Sequence, residues 1–209
     1  MGNITLIMGG ARSGKSSLAE RMARDSRGGV AFIATAEAHD EEMRHRIAAH
    51  QASRPAEWRT IEEPLDLVGA VQDASRDSRV VVVDCLTIWV SNHLCRLPAQ
   101  DRPDDVGSGT AAGPGPESDA EWPIMVDRLA RDLEAQVTGL VSAAKSADLT
   151  LLLVSNEVGL GLVPPNALSR AYRDLLGGLN RRIALEADQV LLMVAGIPVD
   201  VKRLAREQA

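Results

Sequence analysis

Gly9-Gly10-Ala11-Arg12-Ser13-Gly14-Lys15-Ser16 decides the fold of this chain. The spacing Gly-x-x-x-x-Gly-Lys-Ser is that of a phosphate loop, and its context agrees: the apolar run Ile4–Met8 precedes it and an Ala/Leu/Glu/Arg-rich helical stretch, 17–24, follows. Glycines let the backbone curl so that successive N–H groups point at phosphate oxygens, and the N-terminus of the helix adds the positive end of its dipole. In such a loop the Lys15 ammonium bridges phosphates and the Ser16 hydroxyl ligates Mg²⁺. Only three of the 23 basic residues are lysines (Lys15, Lys145 and Lys202), and one of them stands where a compact ammonium is needed.

Outward from the loop, 4–8, 30–34, 80–83, 150–154 and 190–195 are short apolar runs without strict alternation, as suits strands buried on both faces. Helical patterns at 16–26, 40–51, 64–75, 124–146 and 166–186 lie between them. This alternation predicts an α/β chain with a mainly parallel sheet and helices on both faces. Residues 98–123 break the pattern with five prolines and four glycines among small and acidic residues, and are expected to form a flexible surface insertion. The 209 residues are otherwise read as one domain.

Composition narrows the function. A net charge of −6 opposes nucleic acid as a partner, so an anionic ligand must be held by local donors. No apolar run approaches the roughly 20 residues of a membrane span. No basic or apolar leader precedes the phosphate loop, so a cytoplasmic location is expected. Cys85 and Cys95 form neither a metal-binding pattern nor a disulfide framework.

Phosphate loops work with an acidic residue at the end of a buried strand, and Val80-Val81-Val82-Val83-Asp84 supplies one, making Asp84 the second candidate metal ligand beside Ser16. After the second apolar run, 35–43 reads as a strand end, a loop and an acidic helix start. On that helix Glu42, Arg46 and His50 follow at steps of four, so His50 can border a cleft. Imidazole is a competent nucleophile toward phosphorus, but spacing alone does not set His50 apart from His39, His45 and His93. The stretch 154–164 places the polar pair Asn156-Glu157 and two glycines after a buried strand, as either a ligand-facing loop or a structural turn.

These residues together resemble the family of bifunctional adenosylcobinamide kinases / adenosylcobinamide-phosphate guanylyltransferases of cobalamin biosynthesis. The resemblance rests on the phosphate loop, on Phe32-Ile33-Ala34-Thr35-Ala36, on Asp40-Glu41-Glu42-Met43 through His50, on Arg54-Pro55-Ala56-Glu57-Trp58-Arg59-Thr60, and on Asn156-Glu157-Val158-Gly159 with Val163-Pro164. It implies a RecA-like P-loop fold and two reactions on the aminopropanol arm of a corrinoid. The arm's hydroxyl is phosphorylated by ATP or GTP; GMP from GTP is then attached to that phosphate through guanylylated His50. By the same resemblance, Lys15 acts with His50, and the nucleotide contacts are Gly9 to Ser16, Ala34, Thr35, Ala36, Gln51, Ala52, Ser53, Arg54, Glu62 and Asp84. A homo-oligomer, as a trimer, is also implied. The rival reading from the residues is a P-loop small-molecule kinase with no covalent intermediate.

Overall fold

The computed structural model of the chain describes residues 2–37, 41, 54–98 and 116–207, with side chains from 121 onward in the last stretch. Seven strands form one sheet: β1 (Asn3–Gly9), β2 (Val30–Ala34), β3 (Arg59–Glu62), β4 (Val80–Asp84), β5 (Thr150–Val154), β6 (Gln189–Val194) and β7 (Ile197–Asp200), in the order β3-β2-β4-β5-β1-β6-β7. All neighbours are parallel except β6 and β7, which form an antiparallel hairpin at one edge. The expected α/β P-loop fold is present. β5 lies between β1, which feeds the phosphate loop, and β4, which ends in Asp84.

The helices among the described residues are α1 (Lys15–Arg24), α2 (Leu67–Ala74), α3 (Leu86–Cys95), α4 (Pro116–Ser146), α5 (Ala167–Glu186) and α6 (Val201–Glu207). The pleat sends alternate side chains to opposite faces and so divides the core in two. Ile4, Leu6, Val81, Val83, Leu151 and Leu153 meet α2, α3, α4 and α5. Ile7, Val80, Val82, Leu152 and Val154 meet Leu18, Ala19 and Ala23 of α1, together with Trp58. α1 therefore packs directly beneath the strands that carry the site.

Local chemistry sets the helix ends. Gly14 caps α1 at φ +91°, a left-handed conformation that disfavours a side chain. Asp66 and Asn166 cap α2 and α5 by accepting from the backbone N–H groups of Gly69 and Ser169, at 2.9 and 2.7 Å. α4 starts earlier than its apolar periodicity suggests. Its backbone is helical from Pro116 and Trp122 is buried, so the end of the expected 98–123 insertion is part of α4. Residues 99–115 lie outside those described. The polar C-terminal stretch is helical through Glu207.

Candidate functional site

The carboxyl ends of the parallel strands converge on the phosphate loop, as ligand sites in open α/β sheets do. Strand register aligns Glu62, Ala34, Asp84, Val154 and Ile7 in one row across β3, β2, β4, β5 and β1. Loops after these positions emerge side by side.

Between β1 and α1 the loop takes the shape its sequence calls for. A Cβ added at Gly9 would lie 2.8 Å from the Met193 carbonyl oxygen and from Ser13 Oγ, so only glycine fits there. The Lys15 ammonium donates to the Gly10 carbonyl at 2.6 Å and is buried. Burial lowers its pKa, opposed by the charges of Cys85 and Asp84. Lys15 thus lies within the field of Asp84. Ser13 Oγ is buried with no hydrogen-bond partner among the described residues. Ala11 and Arg12 are exposed and Ser16 half-buried at the first turn of α1.

Thr35 joins two strand ends. Its hydroxyl donates to the Cys85 carbonyl and accepts from the Cys85 N–H, each at 2.8 Å, while Asn92 Nδ2 donates to its carbonyl at 2.8 Å. Its side chain is a buried strut between β2 and β4, and the neighbouring Ala34 carbonyl accepts the Glu63 N–H at 3.0 Å. Burial, reinforced by the Asp84 charge, pushes the Cys85 thiol up to about 11, so it offers no thiolate near neutrality.

Arg54 is the least expected member of the site. Its guanidinium sits 3.5 Å from the centroid of the Phe32 ring, and Nε and Nη1 are buried without hydrogen-bond partners among the described residues. Burial lowers its pKa, against the opposing charges of Asp84, Glu20 and Glu62. This half-buried guanidinium keeps two unused donors among carboxylates, a donor set whose chemistry suits an anion. Glu62 is exposed at the end of β3.

Of the histidines, His93 lies on α3, packed edge-on against Trp89 at 5.1 Å, and burial lowers its pKa. It is a half-buried residue held against Trp89, with a ring nitrogen 3.3 Å from the Leu65 carbonyl. His50, Gln51, Ala52 and Ser53, like His39 and His45, lie outside the described residues.

The loop after β5 is held by a buried network. Ser155 Oγ donates to Asn180 Oδ1 at 2.7 Å, Asn180 Nδ2 donates to the Asn156 carbonyl at 3.0 Å, and the Asn156 N–H donates to Thr87 Oγ1 at 2.8 Å. Thr87 and Asn180 were not singled out from the sequence. Asn180 carries a signal even so: it is a polar residue among Leu176, Leu179 and Ile183 on the buried stripe of α5.

Comparison with known proteins agrees with this geometry. The model of the family described as cobinamide kinase / cobinamide phosphate guanyltransferase matches residues 5–201. A bifunctional adenosylcobalamin biosynthesis protein CobP of Pseudomonas aeruginosa is 40% identical over 198 residues, covering 94% of this chain and 96% of that protein. Proteins named bifunctional adenosylcobalamin biosynthesis protein CobU from Salmonella typhimurium and Escherichia coli are 37% and 34% identical, each over 94% of this chain and 98% of theirs. In overall shape the chain is similar to the RadB recombinase, with TM-score 0.45 and 14% identity over 91% of this chain and 73% of that one. With its phosphate loop, its Asp84 strand and its match along nearly the whole length, the chain belongs to the cobinamide kinase / cobinamide phosphate guanyltransferase family.

Proposed function

We propose that the chain phosphorylates the aminopropanol hydroxyl of adenosylcobinamide with ATP or GTP and then transfers GMP from GTP to that phosphate, giving adenosylcobinamide-GDP. The observation that carries this reading is the meeting of Lys15, Asp84 and Arg54 at one sheet edge, in a chain matched by the family along residues 5–201. Two donors of different kinds are described there for one polyphosphate, a buried ammonium and a guanidinium with unused N–H groups.

In the first reaction the hydroxyl oxygen attacks the γ-phosphorus, the bond to the bridging oxygen breaks, and the nucleoside diphosphate leaves with the electron pair. Lys15 and the loop amides lie where charge builds on the departing phosphates. In the second, an imidazole nitrogen of His50 attacks the α-phosphorus of GTP and pyrophosphate departs. A phosphate oxygen of adenosylcobinamide phosphate then displaces the imidazole as the P–N bond breaks.

The donor set suits Mg²⁺, which in such sites takes one or two protein oxygens and completes its shell with substrate phosphates and water. Ser16 and Asp84 offer that pair, and the described residues hold no cluster of three His, Cys, Asp or Glu that would cage a metal alone. When bound, Mg²⁺ neutralises charge on the phosphate oxygens. The working form is a homo-oligomer, expected as a trimer in the cytoplasm. Supporting the first part, Leu160, Leu162 and Val163 are largely exposed.

The test is incubation with α-³²P-GTP and Mg²⁺, followed by peptide mapping of retained label. Label on the His50 peptide is expected, with His50→Asn abolishing it while phosphorylation of adenosylcobinamide from γ-³²P-ATP persists. Label retained in the variant would remove His50 from the mechanism.

A further inference from the structure

The Asn156-Glu157 pair is conspicuous in the sequence, and neither the nucleotide contacts nor the guanylylation step uses it. Its place in the fold assigns it work. β5 lies between β1 and β4, so its carboxyl end opens between the phosphate loop and Asp84. The Glu157 N–H donates to the carbonyl of Gly9, the first residue of the phosphate loop, at 3.1 Å, and the Ser155 N–H donates to Ile7 at 2.9 Å. With the bonds from Asn180 and Thr87, residues 155–157 are anchored from β1, α3 and α5 at once. A turn needs no such bracing.

What the bracing holds still is side-chain capacity. Asn156 and Glu157 are half-buried. Glu157 Oε1 accepts the Gly159 N–H at 2.5 Å, which folds the carboxylate back over its loop, and Oε2 has no hydrogen-bond partner among the described residues. The Asn156 carboxamide has none either; only its backbone is engaged. Just beyond, the chain runs into the exposed Leu160, Leu162 and Val163. A half-buried carboxylate is thus carried on a loop whose backbone is tied to Gly9 of the phosphate loop.

We infer that Glu157 is the general base of the phosphoryl transfer, taking the proton from the acceptor hydroxyl. This rests on the kinase reading above. As the hydroxyl oxygen bonds to the γ-phosphorus and the nucleoside diphosphate leaves, the hydroxyl proton passes to Glu157 Oε2, which later returns it to water. The guanylylation of His50 by GTP involves no acceptor hydroxyl and does not call on Glu157.

The experiment compares wild type, Glu157→Gln and Glu157→Asp in two assays: phosphorylation of adenosylcobinamide from γ-³²P-ATP, and self-labelling from α-³²P-GTP. Removing a general base lowers turnover by about 10²–10⁴-fold. Glu157→Gln should lose kcat on that scale with KM for ATP changed less than about threefold. Glu157→Asp should recover part of the rate, and self-labelling should match wild type in both variants. Unchanged kcat in Glu157→Gln, or equal loss of both activities, overturns the inference while leaving the kinase reading standing. A wild-type protein that labels itself but phosphorylates no corrinoid overturns the kinase reading and this inference with it.

Discussion

The guanidinium of Arg54 lies 3.5 Å from the centroid of the Phe32 ring, with two of its nitrogens buried and unbonded among the described residues. A charged group left in that condition costs free energy in the nucleotide-free protein and recovers it when an anion arrives. Arg54→Met should therefore leave the melting temperature of the free protein unchanged or raised. Nucleotide triphosphate affinity should fall by about 10- to 100-fold, the range for one or two charge-assisted hydrogen bonds. Thermal melts and calorimetric titration of the same preparations check both signs.

Lys15 supplies a pH signature. Burial lowers its pKa in the free protein, whereas bound phosphates favour the charged ammonium. As pH rises through the lowered value, a growing share of free Lys15 is neutral and must gain a proton on binding. Nucleotide binding on the alkaline side should take up protons and weaken with pH, and Lys15→Met should abolish the uptake. Titrations in buffers of different ionisation enthalpy measure it directly.

Asn180→Leu keeps the branched shape of a buried side chain but strips the Ser155 hydroxyl and the Asn156 carbonyl of their partner. Two polar groups left unmatched in a low-dielectric interior cost about 2–3 kcal/mol. The urea midpoint should fall accordingly with the m-value unchanged.

Trp122 tests where the packed part of α4 begins. It is 6% exposed and joins the core between the sheet and α5. Trp122→Ala should destabilise the protein by about 3–5 kcal/mol, the range for removing a large buried aromatic. A variant melting like wild type would show that the first turns of α4 are dispensable.

The phosphate loop, the five central strands and Asp84 were legible because each leaves a local mark: glycine spacing, an apolar run, an acid at a strand end. β3 and β7 were not, since edge strands of four residues with burial on at most one face carry little apolar pattern. α3 was hidden for the opposite reason. Leu86, Trp89, Val90 and Leu94 are buried alongside Thr87 and Asn92, so no polar face marks a helical period. Arg54 could be listed from a resemblance, but its stacking on Phe32 joins residues from separate segments that no spacing rule relates. The tie from Asn180 to Asn156 spans 24 positions and is equally invisible in one dimension.

One feature of β4 reaches beyond catalysis. Val80 to Val83 are all buried on both sides of the sheet, so exchanging which valines face up and which face down changes almost nothing in the core. Four identical side chains carry no information about alignment. That information sits at the borders: a slip in one direction would draw Arg79 into the place of Val80, and in the other would push Asp84 between Ile33 and Leu153. Either move buries an unpaired charge. The carboxylate offered to the chemistry is thus also the punctuation that stops the strand. Replacing Asp84 by an apolar residue would remove the proposed Mg²⁺ ligand and at the same time erase the mark by which the chain finds its place in the sheet.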